Sequence, residues 1–107
     1  GESYARLSLI LAAIWQKRFD RLQILREDGE HAAGASAAYH YVCETLIAAA
    51  LDDTNAARSN WQKFRASPNS RSGSDDEMLK SLIMSPDIRA RILRLLNEKG
   101  ILSHPKG

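Results

Sequence analysis

A chain of 107 residues with 44% hydrophobic and 26% charged side chains has the composition of one globular domain, which excludes wholesale disorder and a comfortable division into two. Its single cysteine, Cys43, excludes an internal disulfide and a multi-cysteine metal site and fits a reducing compartment. The net charge of +2 hides an asymmetry: residues 1–53 carry five basic and eight acidic side chains and residues 54–107 carry ten and five, so the halves stand at −3 and +5. That asymmetry favours an acidic partner, a nucleic acid, or head-to-tail contact with another copy of the chain.

The most apolar run, Leu7 to Trp15, contains Ser8 and is followed by Gln16, Lys17 and Arg18. It is too short to cross a bilayer and lacks the basic leader and cleavage site of a signal peptide, so a cytoplasmic location is expected. Ser3 is placed to cap a first helix running to about Glu27, because Leu7, Leu11, Ile14, Trp15, Leu22 and Leu25 recur at three- and four-residue steps. Asp28-Gly29 ends it. A second helix is expected from about Ala35 to Leu51, with Tyr39, Val42, Cys43, Leu46, Ile47 and Ala50 on its inner side. Only Glu44 carries a formal charge between Ala32 and Leu51, which marks this helix as the central, most enclosed one.

Asp52, Asp53 and Thr54 offer N-caps for a third helix to about Ala66, with Ala57, Trp61 and Phe64 on one side. Residues 67–74 combine Pro, Gly and four serines with no aliphatic residue, the composition of a flexible loop. Ser74 and Glu77 have the form of a capping box, opening a fourth helix through Leu79, Leu82 and Ile83. Ser85-Pro86 restarts the chain into a fifth helix carrying Ile88, Ile92, Leu95 and Leu96, which stops at Gly100. Ile101 and Leu102 are expected to pack beneath the bundle. No run alternates with the period of a half-buried strand, so the expected fold is all-α, a compact bundle of about five helices forming one domain over residues 1–107.

Candidate sites are few. His40 and Glu44 stand four apart on the second helix, where a carboxylate can orient an imidazole, one ingredient of acid–base catalysis. No nucleophile in a strained turn, no glycine-rich phosphate loop and no zinc spacing among the three histidines accompanies them. A structural or solvated pair is therefore the favoured reading. Cys43 is read as core, since no neighbouring base in the sequence would stabilise a thiolate.

Arg18 falls seven residues from both Leu11 and Leu25, inside the first helix's apolar stripe. It must snorkel, find a carboxylate such as Glu44, or face a partner. Arg26 and His31 frame four residues, a spacing that resembles the Arg-to-His motif of the HEPN class of all-helical ribonucleases. The resemblance covers six residues and implies a nuclease whose Arg and His meet at the scissile phosphate. The interval also contains Asp28-Gly29, which favours Arg26 at a helix C-terminus and His31 in a surface turn.

The basic residues of the second half, Arg58, Lys63, Arg65, Arg71, Lys80, Arg89, Arg91 and Arg94, suit phosphate contacts, with Trp61 or Phe64 as a stacking surface if exposed. A helix-turn-helix is disfavoured by the long Ser/Gly loop. With no catalytic constellation, cofactor motif or metal motif, the expected function is non-enzymatic. The chain reads as a helical protein–protein interaction module that self-associates, with Arg18, Arg58, Lys63, Arg65, Arg89, Arg91 and Arg94 as candidate interaction residues. The alternative is a basic accessory protein that binds nucleic acid through its C-terminal half, and the third reading is a helical hydrolase or ribonuclease.

Overall fold

The computed structural model describes residues 2–29, 37–67, 74–80 and 82–102. They form α1 (Glu2–Trp15), α2 (Phe19–Gly29), α3 (Ala37–Ala50), α4 (Thr54–Ala66), α5 (Asp75–Leu79) and α6 (Pro86–Glu98). No strand occurs among the described residues, so the fold is all-α, as expected. The expected flexible loop at 67–74 falls outside the described residues except for its ends, Ser67 and Ser74.

The first helix expected from the sequence is two helices. Lys17 takes a positive φ of 57°, and the N–H groups of Lys17 and Arg18 turn back to the carbonyls of Ile14 and Ala13 at 3.1 and 2.8 Å. This is a Schellman stop built with lysine where glycine is usual. Asp20 in the first turn of α2 complements the helix dipole. Because the chain turns here, the stripe drawn from Leu11 to Leu25 is interrupted, and Arg18 does not lie on a buried face. Ser3 lies inside α1, which already begins at Glu2, so it is not the cap.

The same stop recurs twice. Asp52, with φ of 65°, ends α3 as the Asp53 N–H reaches the Ala48 carbonyl at 2.8 Å. Gly100, with φ of 74°, ends α6 as the Ile101 N–H reaches Leu96 at 2.8 Å. Helix starts use the side chains expected of them. Asp53 accepts from the Ala56 N–H, Ser74 from Glu77 and Ser85 from Ile88, with Pro86 opening α6. The helix expected through Ile83 is shorter: α5 ends at Leu79, and a looser turn then carries the Leu82 and Ile83 N–H groups to the Leu79 carbonyl.

Helix α3 is the axis of the bundle. It packs against α1, α2, α4 and α6, and Ala38, Tyr39, Val42, Cys43, Leu46, Ile47, Ala48, Ala49 and Ala50 are all buried. Small alanines let neighbouring helices approach closely on several sides, so the face expected to be inward has become nearly the whole circumference. Thr45, fully buried, bonds its hydroxyl to the Tyr41 carbonyl at 2.7 Å and leaves no orphan. Helix α4 contributes Ala57, Trp61 and Phe64, the last two in ring contact at 5.1 Å, and α6 contributes Ile92 and Leu96.

Long-range polar contacts fix the outer elements. The Arg58 guanidinium donates to the Gly100 carbonyl at 3.1 Å, and Lys99 pairs with Asp52. Together they dock the end of α6 onto α4 and the α3–α4 turn, with Ile101 buried beside them. Among the described residues no helix is long and apolar enough to cross a membrane.

Candidate functional site

Most basic candidates are engaged by the chain itself. Arg65 pairs with Asp75 at 2.8 Å, and Arg58 is held on the Gly100 carbonyl. Arg89 is only 5% exposed. Its Nε donates to Asp76 at 2.8 Å, and its Nη1 donates to the carbonyls of Ile83 and Met84 at 2.8 and 2.9 Å. It is a brace for the turn before α6, and too enclosed to meet a large partner. Lys63, Arg91 and Arg94 face solvent, and no ion pair holds them among the described residues. The Arg91 guanidinium lies 4.9 Å over the Trp15 ring, a cation–π contact joining α6 to the end of α1. Trp61 and Phe64 are buried, so neither offers a stacking surface. Arg71 lies outside the described residues.

The carboxylate of Glu44 does not serve Arg18. Arg6 takes it at 3.0 Å and also donates to the Leu25 carbonyl at 2.9 Å, so one mostly buried side chain ties α1, α2 and α3 together. Arg18 turns to Asp20 at 3.4 Å, and that contact holds the Asp20 carboxyl below its usual range. His40 faces Tyr41, with ring centres 6.0 Å apart. His31 lies outside the described residues, and Arg26 of the Arg-to-His spacing is bound at 2.8 Å to Asp53, whose carboxyl it holds low.

Cys43 has a basic neighbour that the sequence does not reveal, because Arg6 reaches it from α1 across the interface. Burial outweighs that cation and the adjoining Tyr39 hydroxyl, and pushes the thiol up. Tyr39, whose hydroxyl accepts from the Leu7 N–H at 2.9 Å, is pushed up to about 12, first by burial. A neutral thiol and a neutral phenol sealed from solvent are packing and orienting groups. Among the described residues, no group of three or more His, Cys, Asp or Glu is placed to hold a metal ion.

One open feature is a groove between α1 and α2 of about 530 Å³, lined by Leu9, Ala12, Ala13, Ile24 and Leu25, with Gln16, Arg18, Asp20 and Arg21 at its polar end. Leu9 is 55% exposed and Ile24 57%, an unusual position for two large aliphatic side chains flanking one depression. The groove exists because the chain turns at Lys17 and folds α2 back beside α1. Read as one helix, the same residues would show no groove. Arg18 is the one candidate interaction residue that lines it. Leu9 and Ile24 fall outside the sequence stripe; the only sequence signal for Leu9 is that α1 is apolar on more sides than one core can cover, and Ile24, on the more polar α2, has none.

The chain matches no family model, and comparison with curated proteins and with solved structures gives no match.

Proposed function

We propose that this chain is a helical interaction module that self-associates through the α1–α2 groove. The observation that supports this is the exposure of Leu9 and Ile24 on the two walls of one depression that is apolar at one end and charged at the other. Covering an aliphatic side chain contributes about 1.5–3 kcal/mol relative to leaving it in water, a standing incentive for a second surface to dock. Electrostatics also favours this reading over phosphate binding. Arg58, Arg65 and Arg89 are bonded to acceptors of the chain itself, which shrinks the basic surface that the sequence suggests.

Light scattering at low and high salt tests the proposal against a Leu9→Asp/Ile24→Asp variant. The expected result is a parent oligomer that persists in high salt and a variant that is monomeric and still melts cooperatively, at a somewhat lower temperature because it lacks the stabilisation that association gives the parent. A parent that is monomeric at every concentration and forms salt-sensitive complexes with generic RNA or DNA would instead support the nucleic-acid reading.

A further inference from the structure

The occupant of the groove can be named from the opposite end of the chain. Met84 is 86% exposed, yet the backbone on either side of it is held by hydrogen bonds. The Arg89 guanidinium, itself buried, grips the carbonyls of Ile83 and Met84 at 2.8 and 2.9 Å and is anchored to Asp76 at 2.8 Å. The Ser85 hydroxyl accepts from the Ile88 N–H at 3.3 Å, and Pro86 fixes the first position of α6. A mobile tip would lose much entropy on docking, whereas this backbone has already been ordered by folding. It presents a flexible, polarisable thioether of the kind that adapts well to apolar recesses.

The local charges around the two features are opposite. Around the Met84 turn four acids, Asp75, Asp76, Glu77 and Asp87, stand against three bases, Lys80, Arg89 and the Arg65 that pairs with Asp75, which leaves one negative charge. Around the polar end of the groove, residues 16–21 carry Lys17, Arg18 and Arg21 against Asp20. Within the described residues Asp87 beside the Met84 turn and Arg21 at the groove have no ion-pair partner, while the neighbours Asp76, Glu77, Arg18 and Asp20 do. These local signs run against the half-chain totals, since the basic cluster sits in the acidic half and the acidic cluster in the basic half.

We infer that the groove of one copy receives Met84 of a second copy, with Asp87 of the incoming turn facing Arg21, and this rests on the self-association proposed above. The turn and the groove are built from different helices, so the contact is heterologous. It runs head to tail and continues from copy to copy unless the rotation closes a ring.

The test compares the parent chain with two variants of it. Met84→Asp loses the projecting side chain and keeps the groove, and Leu9→Asp/Ile24→Asp does the reverse. Each alone is expected to be monomeric, with the Met84 change weakening association at least tenfold, about 1.4 kcal/mol. Mixed in equal amounts they are expected to form a dimer that grows no further, because only one complementary pair remains. Cooperative melting shows that both variants fold, and Met84→Ser provides a milder second variant at the same position.

An Asp87→Arg change should also weaken assembly, and Arg21→Asp in the same chain should restore it. If Met84→Asp assembles like the parent while the groove variant does not, the inference fails and the groove reading stands as a symmetric groove-to-groove contact. If the groove variant assembles undiminished, the groove reading itself fails.

Discussion

Helices α1 and α3 are both rich in apolar residues, yet they meet different fates. Between Leu7 and Trp15 α1 carries no charged side chain, and within α3 only Glu44 is charged. Helix α3 is surrounded by α1, α2, α4 and α6, whereas α1 rests on α2 and α3 and meets α6 at its end, through Trp15. The result is a helix buried almost all round beside one that leaves Leu9 and Trp15 about half exposed. Apolarity sets how much cover a helix requires. Topology decides whether the same chain supplies it.

The largest expected effect breaks this contrast directly. Leu46→Asp places an unpaired carboxylate on a fully buried position of α3 and should cost more than about 4 kcal/mol, enough to unfold a domain of ordinary stability. Leu9→Asp, measured at a dilution where the parent is monomeric, should cost no more than about 1 kcal/mol. Thermal or urea unfolding of the two variants compares them, and similar costs would show that Leu9 is enclosed too.

Charge follows the same division. Arg89→Met removes three hydrogen bonds from a buried side chain and leaves two carbonyls of the α5–α6 turn unpaired, an expected loss of about 2–3 kcal/mol in denaturant unfolding. Arg94→Met, on the exposed side of the same helix, should change stability by less than about 0.5 kcal/mol.

The turn that separates α1 from α2 sharpens the comparison in the opposite direction. Lys17→Gly relieves a left-handed backbone that lysine adopts at a cost, so it should stabilise the chain by up to about 1 kcal/mol. A loss of stability would mean that the lysine side chain, not the backbone, sets this corner.

The smallest effect concerns acid. Arg26 and then the Ala56 N–H hold the Asp53 carboxyl below its usual range. Its contribution is therefore complete above the unfolded value of about 3.9 and disappears as pH falls through the lower folded value. In Asp53→Asn that part of the acid sensitivity should vanish, so melting midpoints of parent and variant should converge as pH drops below about 4. Parallel curves would show that Arg26 draws nothing from the carboxylate.

What the sequence discloses is what short-range chemistry decides. The alanine-rich α3, the buried trio Ala57, Trp61 and Phe64, the Ser74 and Ser85 caps, Pro86 and Gly100 all announce themselves within a few residues of where they act. The stop at Lys17 does not, because lysine is a good helix former and only the docking of α2 on the core draws it into a left-handed turn. Arg6 and Glu44 are 38 positions apart, and Arg91 reaches Trp15 across the bundle, so neither contact has a local signature. Arg89 misleads for a related reason. Counted among basic residues it suggests a charged surface, and only its three acceptors reveal an interior role. The groove needed both the hidden turn and the unsuspected exposure of Ile24.

The sealed position of Cys43 makes the chain a reporter of its own breathing. Only the thiolate attacks an alkylating reagent, and here it is disfavoured by burial and covered by the Arg6 and Tyr39 contacts between α1 and α3. Labelling must therefore wait for an opening event, and with one thiol in the chain its rate counts a single class of events. If α1 lifts from α3 before the rest unfolds, labelling will outpace global unfolding. Where reclosing outpaces the chemistry, the ratio of the labelling rate to that of the same thiol in the unfolded chain then gives the free energy that holds this layer in place.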